Sequence, residues 1–199
     1  MLTFIKTLSS IIFYENRTIN VATLSFRTSR FAIPIYAGAK LTPEISQIVL
    51  KAKENNDLIA RKFLAKLVCD AIDLTRESNL NLILIPSRQE AIRIRGIKHL
   101  NLMVNEVKKY REVTVYDVLK HTRKVRDQSQ LDHKERFENL KGAFEVRAKF
   151  KDPLPNRAFL FDDLVTTGAT IHAAAMALKV RNIQLLGVIS ACATSVFTE

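Results

Sequence analysis

Asp162, Asp163, Thr166, Thr167, Gly168 and Thr170 fall within nine residues of one another, in the run RAFLFDDLVTTGAT. The apolar start of that run suits a strand buried on both faces, with the acidic pair where the strand should end. An alanine-rich helical pattern, Ile171 to Leu178, follows the small hydroxyl residues. Strand, small polar turn and helix together aim backbone N–H groups and a helix N-terminus at an anion, usually a phosphate. Two carboxylates beside a phosphate site make sense only if the ligand also offers hydroxyls or a metal. A ligand with a phosphate at one end and a diol in its middle, as in a phosphoribosyl group, would use both halves of the loop. The plain alternative is a strand-to-helix turn in which an aspartate serves only as a cap.

The elements that must carry this turn alternate along the chain. Pro43 opens a helix in which Ile45, Ile48, Val49 and Ala52 recur at helical spacing, and Asn55 to Asp57 break it. Leu58 to Ile72 gives a second helix with a wide apolar face. Leu80–Ile85 reads as a buried parallel strand that ends in Pro86, Ser87 and Arg88. Leu100, Met103, Val104 and Val107 mark another helix, and Val113–Val118 another strand. Ala143 to Val146 returns to a strand, and Ile183–Ala193 supplies the last one. This alternation predicts an α/β domain with a mostly parallel central sheet flanked by helices. Ligands of such sheets bind at the carboxyl ends of strands, where Pro86–Arg88 and Asp162–Thr170 both fall.

His121 to Lys141 is the most polar segment. Its second half is helical in pattern, with Asp132 and Glu135 at capping-box spacing. A long basic loop between two ligand-facing strand ends suits a lid, although most of its charges taken singly are solvated surface. Residues 18–39 have β character and predict one or two strands, a small appendage (residues 1–40) ahead of the main domain (residues 41–199). The opening MLTFIKTLSSIIFY is interrupted by Lys6 and predicts an amphipathic element, with no stable membrane insertion. Cys69 and Cys192 lie in apolar patterns and read as inert core thiols, in keeping with a reducing cytoplasm. A net charge of +11 favours phosphorylated or polyanionic partners.

Three blocks in order, ILIPSRQEAIRIRGIKHLNLMV, RKVRDQSQLDHKERFENLKGAFEV and RAFLFDDLVTTGAT, resemble the ComF family of phosphoribosyltransferase-like proteins. The third has the form of the ribose-phosphate loop of type I phosphoribosyltransferases. The pattern of Arg126, Gln130, Leu131, Arg136, Asn139, Gly142, Ala143 and Phe144 is the part similar to ComF. Many members of that family begin with a zinc ribbon, whereas no cysteine precedes Cys69 here.

The resemblance implies the type I phosphoribosyltransferase fold and a set of roles. Asp162 and Asp163 would hold the ribose hydroxyls of phosphoribosyl pyrophosphate, directly or through Mg²⁺. Thr166, Thr167, Gly168, Ala169 and Thr170 would cradle the 5′-phosphate. Pro86, Ser87 and Arg88 would form the pyrophosphate loop, with Arg123, Lys124 and Arg126 closing over it as a flexible lid. Two functions stay open on this reading. One is phosphoribosyl transfer to a nucleobase-like acceptor. The other is a non-catalytic module that binds a phosphoribosyl ligand or single-stranded DNA and works beside a competence helicase. A regulatory subunit docked through its N-terminus is a third, and homo-oligomers are compatible with all of them.

Overall fold

Leu80–Leu84 (β3) and Arg157–Val165 (β7) lie side by side and parallel at the middle of the molecule, and each is apolar because both its faces are covered. The computed structural model describes residues 21–25, 32–148, 150 and 153–194. In chain order its elements are β1 (Val21–Ser25), β2 (Ala32–Lys40), α1 (Pro43–Glu54), α2 (Leu58–Thr75), β3, α3 (Gln89–Arg95), α4 (His99–Val107) and β4 (Val113–Tyr116). Next come β5 (Leu119–His121), α5 (His133–Leu140), β6 (Phe144–Val146), β7, α6 (Ala169–Lys179) and β8 (Gln184–Ala193).

The main sheet has six strands in the order β1-β2-β8-β7-β3-β4. All neighbours are parallel except β1, which runs antiparallel to β2. The expected mostly parallel sheet is therefore present. Strand β2 pairs with β8 from Ile35↔Val188 to Lys40↔Ala193, so the residues before Lys40 that are described here complete this sheet. The opening stretch MLTFIKTLSSIIFY lies outside the described residues.

Helix positions follow from the strand order. The steps β2 to β3 and β3 to β4 run one way along the sheet, whereas β4 to β7 and β7 to β8 run back. Right-handed crossovers then place α1, α2 and α4 on one face, and α5, α6 and the small β5–β6 sheet on the other. Contacts agree: α2 packs on β2, β8, α1 and α4, while α6 packs on β6 and α5. The first layer can approach closely because residue 38 is glycine. A Cβ there would collide with the Leu67 carbonyl of α2.

Phe159, Leu160 and Phe161 of β7, Leu82 and Ile83 of β3 and Ile35 of β2 form the centre of the core. Each such side chain contributes roughly 1.5–3 kcal/mol by leaving water. Helix ends are set locally. Thr42 caps α1 with Pro43 at its first position, and Asp57 caps α2 through a 2.9 Å bond from the Ala60 N–H. The capping box at α5 forms as its spacing predicts, with Asp132 and Glu135 each accepting the other's backbone N–H.

The structure departs from the sequence pattern in three places. Strand β7 does not stop at the acidic pair: Asp162, Leu164 and Val165 continue the ladder against Ser190, Cys192 and Ala193 of the long strand β8. Helix α3 buries none of its residues, so it carries no apolar stripe to announce it. The strand expected at residues 143–146 pairs with β5 in a separate two-stranded antiparallel sheet and does not join the main one. Three residues per strand are too few to show a period in sequence.

Candidate functional site

The sheet reverses its order between β3 and β7, because the chain leaves β3 toward β4 and leaves β7 toward β8. A crevice opens at the carboxyl end of such a switch point. Pro86, Ser87 and Arg88 leave β3 at this edge, all half-buried, and residues 166–170 leave β7 beside them.

The β7 turn is built to free the helix end. Gly168 adopts φ +74°, a left-handed conformation suited to glycine, and no side chain caps α6. The Thr167 hydroxyl accepts from the Ala169 N–H at 3.4 Å, and the Thr194 hydroxyl donates to the Thr166 carbonyl at 3.1 Å, fixing the turn to the end of β8. Thr166, Thr167 and Thr170 are half-buried, and Gly168 and Ala169 are buried. A turn of this kind presents N–H groups and small hydroxyls at a positive helix end.

The two carboxylates interact with one another and with Lys53, and they differ in exposure. Asp163 is buried, and its Oδ2 lies 3.4 Å from Lys53 Nζ of α1 and 3.5 Å from His99 Nε2 of α4. Burial pushes the Asp163 carboxyl up, but Lys53 and then His99 attract its charge and hold it below the usual carboxylate range. The Lys53 ammonium is raised by the same contact with Asp163. Burial keeps the His99 imidazole below its ordinary value despite Asp163. Asp162 is half-buried, and its Oδ1 accepts the Asp163 N–H at 2.9 Å. Burial and then the Asp163 charge push the Asp162 carboxyl well up.

On the β3 side a cavity of about 550 Å³ is lined by Arg88, Gln89, Glu90, Arg93, His121, Thr122, Arg123, Lys124 and Val125. It brings Arg88 of the expected pyrophosphate loop together with Arg123 and Lys124 of the expected lid. Arg126, Asp162, Asp163 and residues 166–170 do not line it. The four cations are not equivalent. Arg88 is ion-paired with Asp127. Arg123 donates to the carbonyls of Asn139 (3.0 Å) and Lys141 (3.1 Å) at the end of α5. Among the described residues the side chains of Lys124 and Arg93 have no ion-pair or hydrogen-bond partner. Arg93 lies within the first of the three blocks, but the resemblance implies no role for it. His121 Nε2 meets the Pro86 carbonyl at 3.1 Å. A carbonyl can only accept, so Nε2 carries the proton and the buried, unpartnered Nδ1 is left as an acceptor.

The loop that bears Arg123 and Lys124 is pinned by the residues of the ComF-like pattern. The Asn139 side chain accepts from the Arg126 N–H and donates to the Arg126 carbonyl, both at 3.1 Å. Arg136 Nε donates to the carbonyls of Gln128 and Leu131. Gly142 turns with φ +63°, and Thr122 bonds its carbonyl at 2.7 Å. Arg126 itself is exposed and 3.9 Å from Glu135. His172 packs against Phe137 of α5.

Among the described residues no group of three or more metal-ligating side chains gathers, so a divalent cation here would depend on the acidic pair together with water and phosphate oxygens. Of that pair, the Asp163 Oδ2 already faces an ammonium. Mg²⁺ commonly takes one or two carboxylates and completes its shell with water and phosphate oxygens.

No family model matches the sequence, and no curated protein matches it. Among solved structures, a hypoxanthine phosphoribosyltransferase from Staphylococcus aureus is similar with a TM-score of 0.38 and 10% identity, over 65% of this chain. This chain spans 62% of that protein's length. An orotate phosphoribosyltransferase from Aeropyrum pernix is similar with a TM-score of 0.39 and 13% identity, over 72% of this chain and 77% of that one. Among the described residues no helix is long and apolar enough to cross a membrane.

Proposed function

We propose that this chain is a ComF-like phosphoribosyltransferase of the type I fold. It binds phosphoribosyl pyrophosphate, with Mg²⁺, across the β3–β7 switch point and transfers the phosphoribosyl group to a nucleobase-like acceptor. The observation that carries the reading is that a turn without a side-chain helix cap, 166–170, and a cavity lined by Arg88, Arg93, Arg123 and Lys124 follow the two neighbouring strands of the switch point. Residues 166–170 take the 5′-phosphate through N–H groups and hydroxyls. Arg88, Arg93 and Lys124 take the pyrophosphate, and Asp162 accepts from the ribose diol between them.

In the reaction the bond from ribose C1 to a pyrophosphate oxygen breaks, the electron pair leaves with pyrophosphate, and the acceptor nitrogen bonds to C1 and gives up its proton to water. Cations placed where that negative charge collects stabilise the transition state more than the ground state. Mg²⁺, when bound, supplies further neutralisation of the leaving group. Burial of the strand ends and the pinned loop limit water. The protein's task is positioning and charge, and none of the histidines is needed as a nucleophile.

The net charge of +11 and the unpaired exposed cations also favour the second reading, a binding module for single-stranded DNA or a phosphoribosyl ligand in DNA uptake beside a helicase. Both readings place the protein in the cytoplasm. Calorimetric titration with phosphoribosyl pyrophosphate, with and without Mg²⁺, tests the ligand site, and pyrophosphate release on addition of nucleobases separates transfer from binding alone. Saturable binding that Mg²⁺ strengthens is expected. No heat at millimolar ligand would remove the first reading and leave DNA as the ligand to pursue.

A further inference from the structure

One stretch of chain, the end of β5 and the loop after it, holds the segment Pro86–Arg88 at both ends. At the first end His121 Nε2 donates to the Pro86 carbonyl at 3.1 Å, and the His121 ring packs on Phe144 of β6. At the second end the Arg88 guanidinium is ion-paired with Asp127. Asp127 follows Arg126, whose backbone N–H and carbonyl both bond the Asn139 side chain at 3.1 Å. The carboxylate is therefore presented to Arg88 from a fixed backbone. The two contacts differ in chemistry. The first joins an imidazole to a carbonyl. The second joins a guanidinium to a carboxylate, and a phosphate group can take the carboxylate's place on a guanidinium. Both side chains reach water, Arg88 being 28% exposed and Asp127 40%. Arg88 lines the cationic cavity and Asp127 does not, so the carboxylate holds this cation from beside the cavity.

We propose that Asp127 is a built-in competitor for the anion that Arg88 binds, and that a diphosphate must displace it. The inference rests on the anion role given to Arg88 in the proposed function. Asp127 satisfies Arg88, and carbonyls satisfy Arg123, which leaves Arg93 and Lys124 as the cavity's unpaired cations. An anion that reached Arg88 alone would exchange one ion pair for another and gain little. A diphosphate has a second phosphate group for Arg93 or Lys124, so the same exchange leaves it with a net gain. The displaced carboxylate turns to water. With it goes the ion pair that ties the loop after β5 to Pro86–Arg88, while the His121 and Asn139 contacts stay. Occupation of Arg88 is thus coupled to release of the loop at one point and not along its whole length.

The test is a double-mutant cycle on Asp127 and Arg88, read by calorimetric titration with inorganic pyrophosphate at low salt. Asp127→Asn should tighten binding about fivefold, the scale of releasing one partly exposed ion pair. In an Arg88→Gln background the same change should alter affinity less than about twofold, because the competitor acts through Arg88. Glu90→Gln removes an equal charge from the cavity wall without touching the pair, and should gain less than Asp127→Asn. An equal gain with and without Arg88, or an equal gain from Glu90→Gln, shows a general field effect and overturns the proposal. So does an Asp127→Asn variant that binds no more tightly than the natural protein. The natural protein gives a second reading that needs no variant to fold. The carboxyl carbon resonance of Asp127 should move as pyrophosphate is added, and a stationary resonance at saturation overturns the exchange. If pyrophosphate binds neither the natural protein nor Asp127→Asn, the cavity is no anion site and the proposal falls with it. If the cycle behaves as expected but no phosphoribosyl transfer is found, the proposed reaction fails and the competitor stands.

Discussion

His99, His121 and His172 are all held below the ordinary imidazole value of 6.5 by burial, and this sets the direction of the protein's response to acid. A depressed folded value means that the unfolded chain binds more protons. The stability these groups contribute is present above 6.5 and is lost as pH falls toward their folded values. Asp162 has the opposite sign, since its folded value lies well above 3.8 and protonation favours the folded chain. Asp162→Asn should therefore make the unfolding midpoint fall more steeply, or rise less, on acidification below about pH 6.5 than it does in the natural protein. A variant whose pH response matches that of the natural protein would contradict this. The cavity yields a second residue-level expectation. Arg93→Gln should weaken inorganic pyrophosphate binding about tenfold by calorimetry, in line with roughly 1.5–3 kcal/mol for a hydrogen bond to a charged group. Arg126→Gln, a change off the cavity and beside Glu135, should do little; equal losses would show that bulk charge alone binds the anion. The sequence pointed to Lys124 and Arg88 but could not separate a free cation from a spent one. Partner choice depends on Asp127, Asn139 and Lys141, which no local spacing relates to Arg88 and Arg123.

At the scale of elements, strand β7, its turn and helix α6 were legible because an apolar run, a glycine and an alanine-rich helix follow one another locally. The extension of β7 past Asp163 was not, since it depends on how far β8 runs beside it. Residues 122–131 show the reverse case, a motif whose meaning changes once its bonds are seen. Asn139, Arg136 and Gly142 read as part of a family pattern around a ligand lid, and the structure has all three fastening that loop to α5 and β6. Any closing motion must start from this anchored state. Asn139→Ala should cost about 1–3 kcal/mol, because it leaves the Arg126 N–H and carbonyl without their partner. Amide exchange across residues 122–131 should quicken in the same variant while that of β3 and β7 stays slow. Unchanged exchange in the loop would mean that the Asn139 bonds do not hold it.

Across the whole molecule, the order β1-β2-β8-β7-β3-β4 explains why one edge gathers the chemistry. Residues far apart in sequence, Arg88 after β3 and Asp162 in β7, reach that edge because β3 and β7 are neighbours at the switch point. Alternation of strands and helices made the α/β class legible, but it does not say which strands touch, and so it could not place Lys53 or His99 against Asp163. The net charge of +11 acts on this same edge. Pyrophosphate affinity should drop steeply with added salt, since the anion replaces ions around Arg93 and Lys124. A single-stranded oligonucleotide offers the same phosphate chemistry and should compete for the cavity at low salt if the cavity is the only strong anion site. Combining Arg93→Gln with Lys124→Gln then becomes decisive. If oligonucleotide and pyrophosphate affinities fall together, measured by competition in a fluorescence anisotropy titration, one cationic surface serves both. If oligonucleotide binding survives while pyrophosphate binding is lost, DNA is held by other basic residues, and the cavity belongs to the small phosphorylated ligand alone.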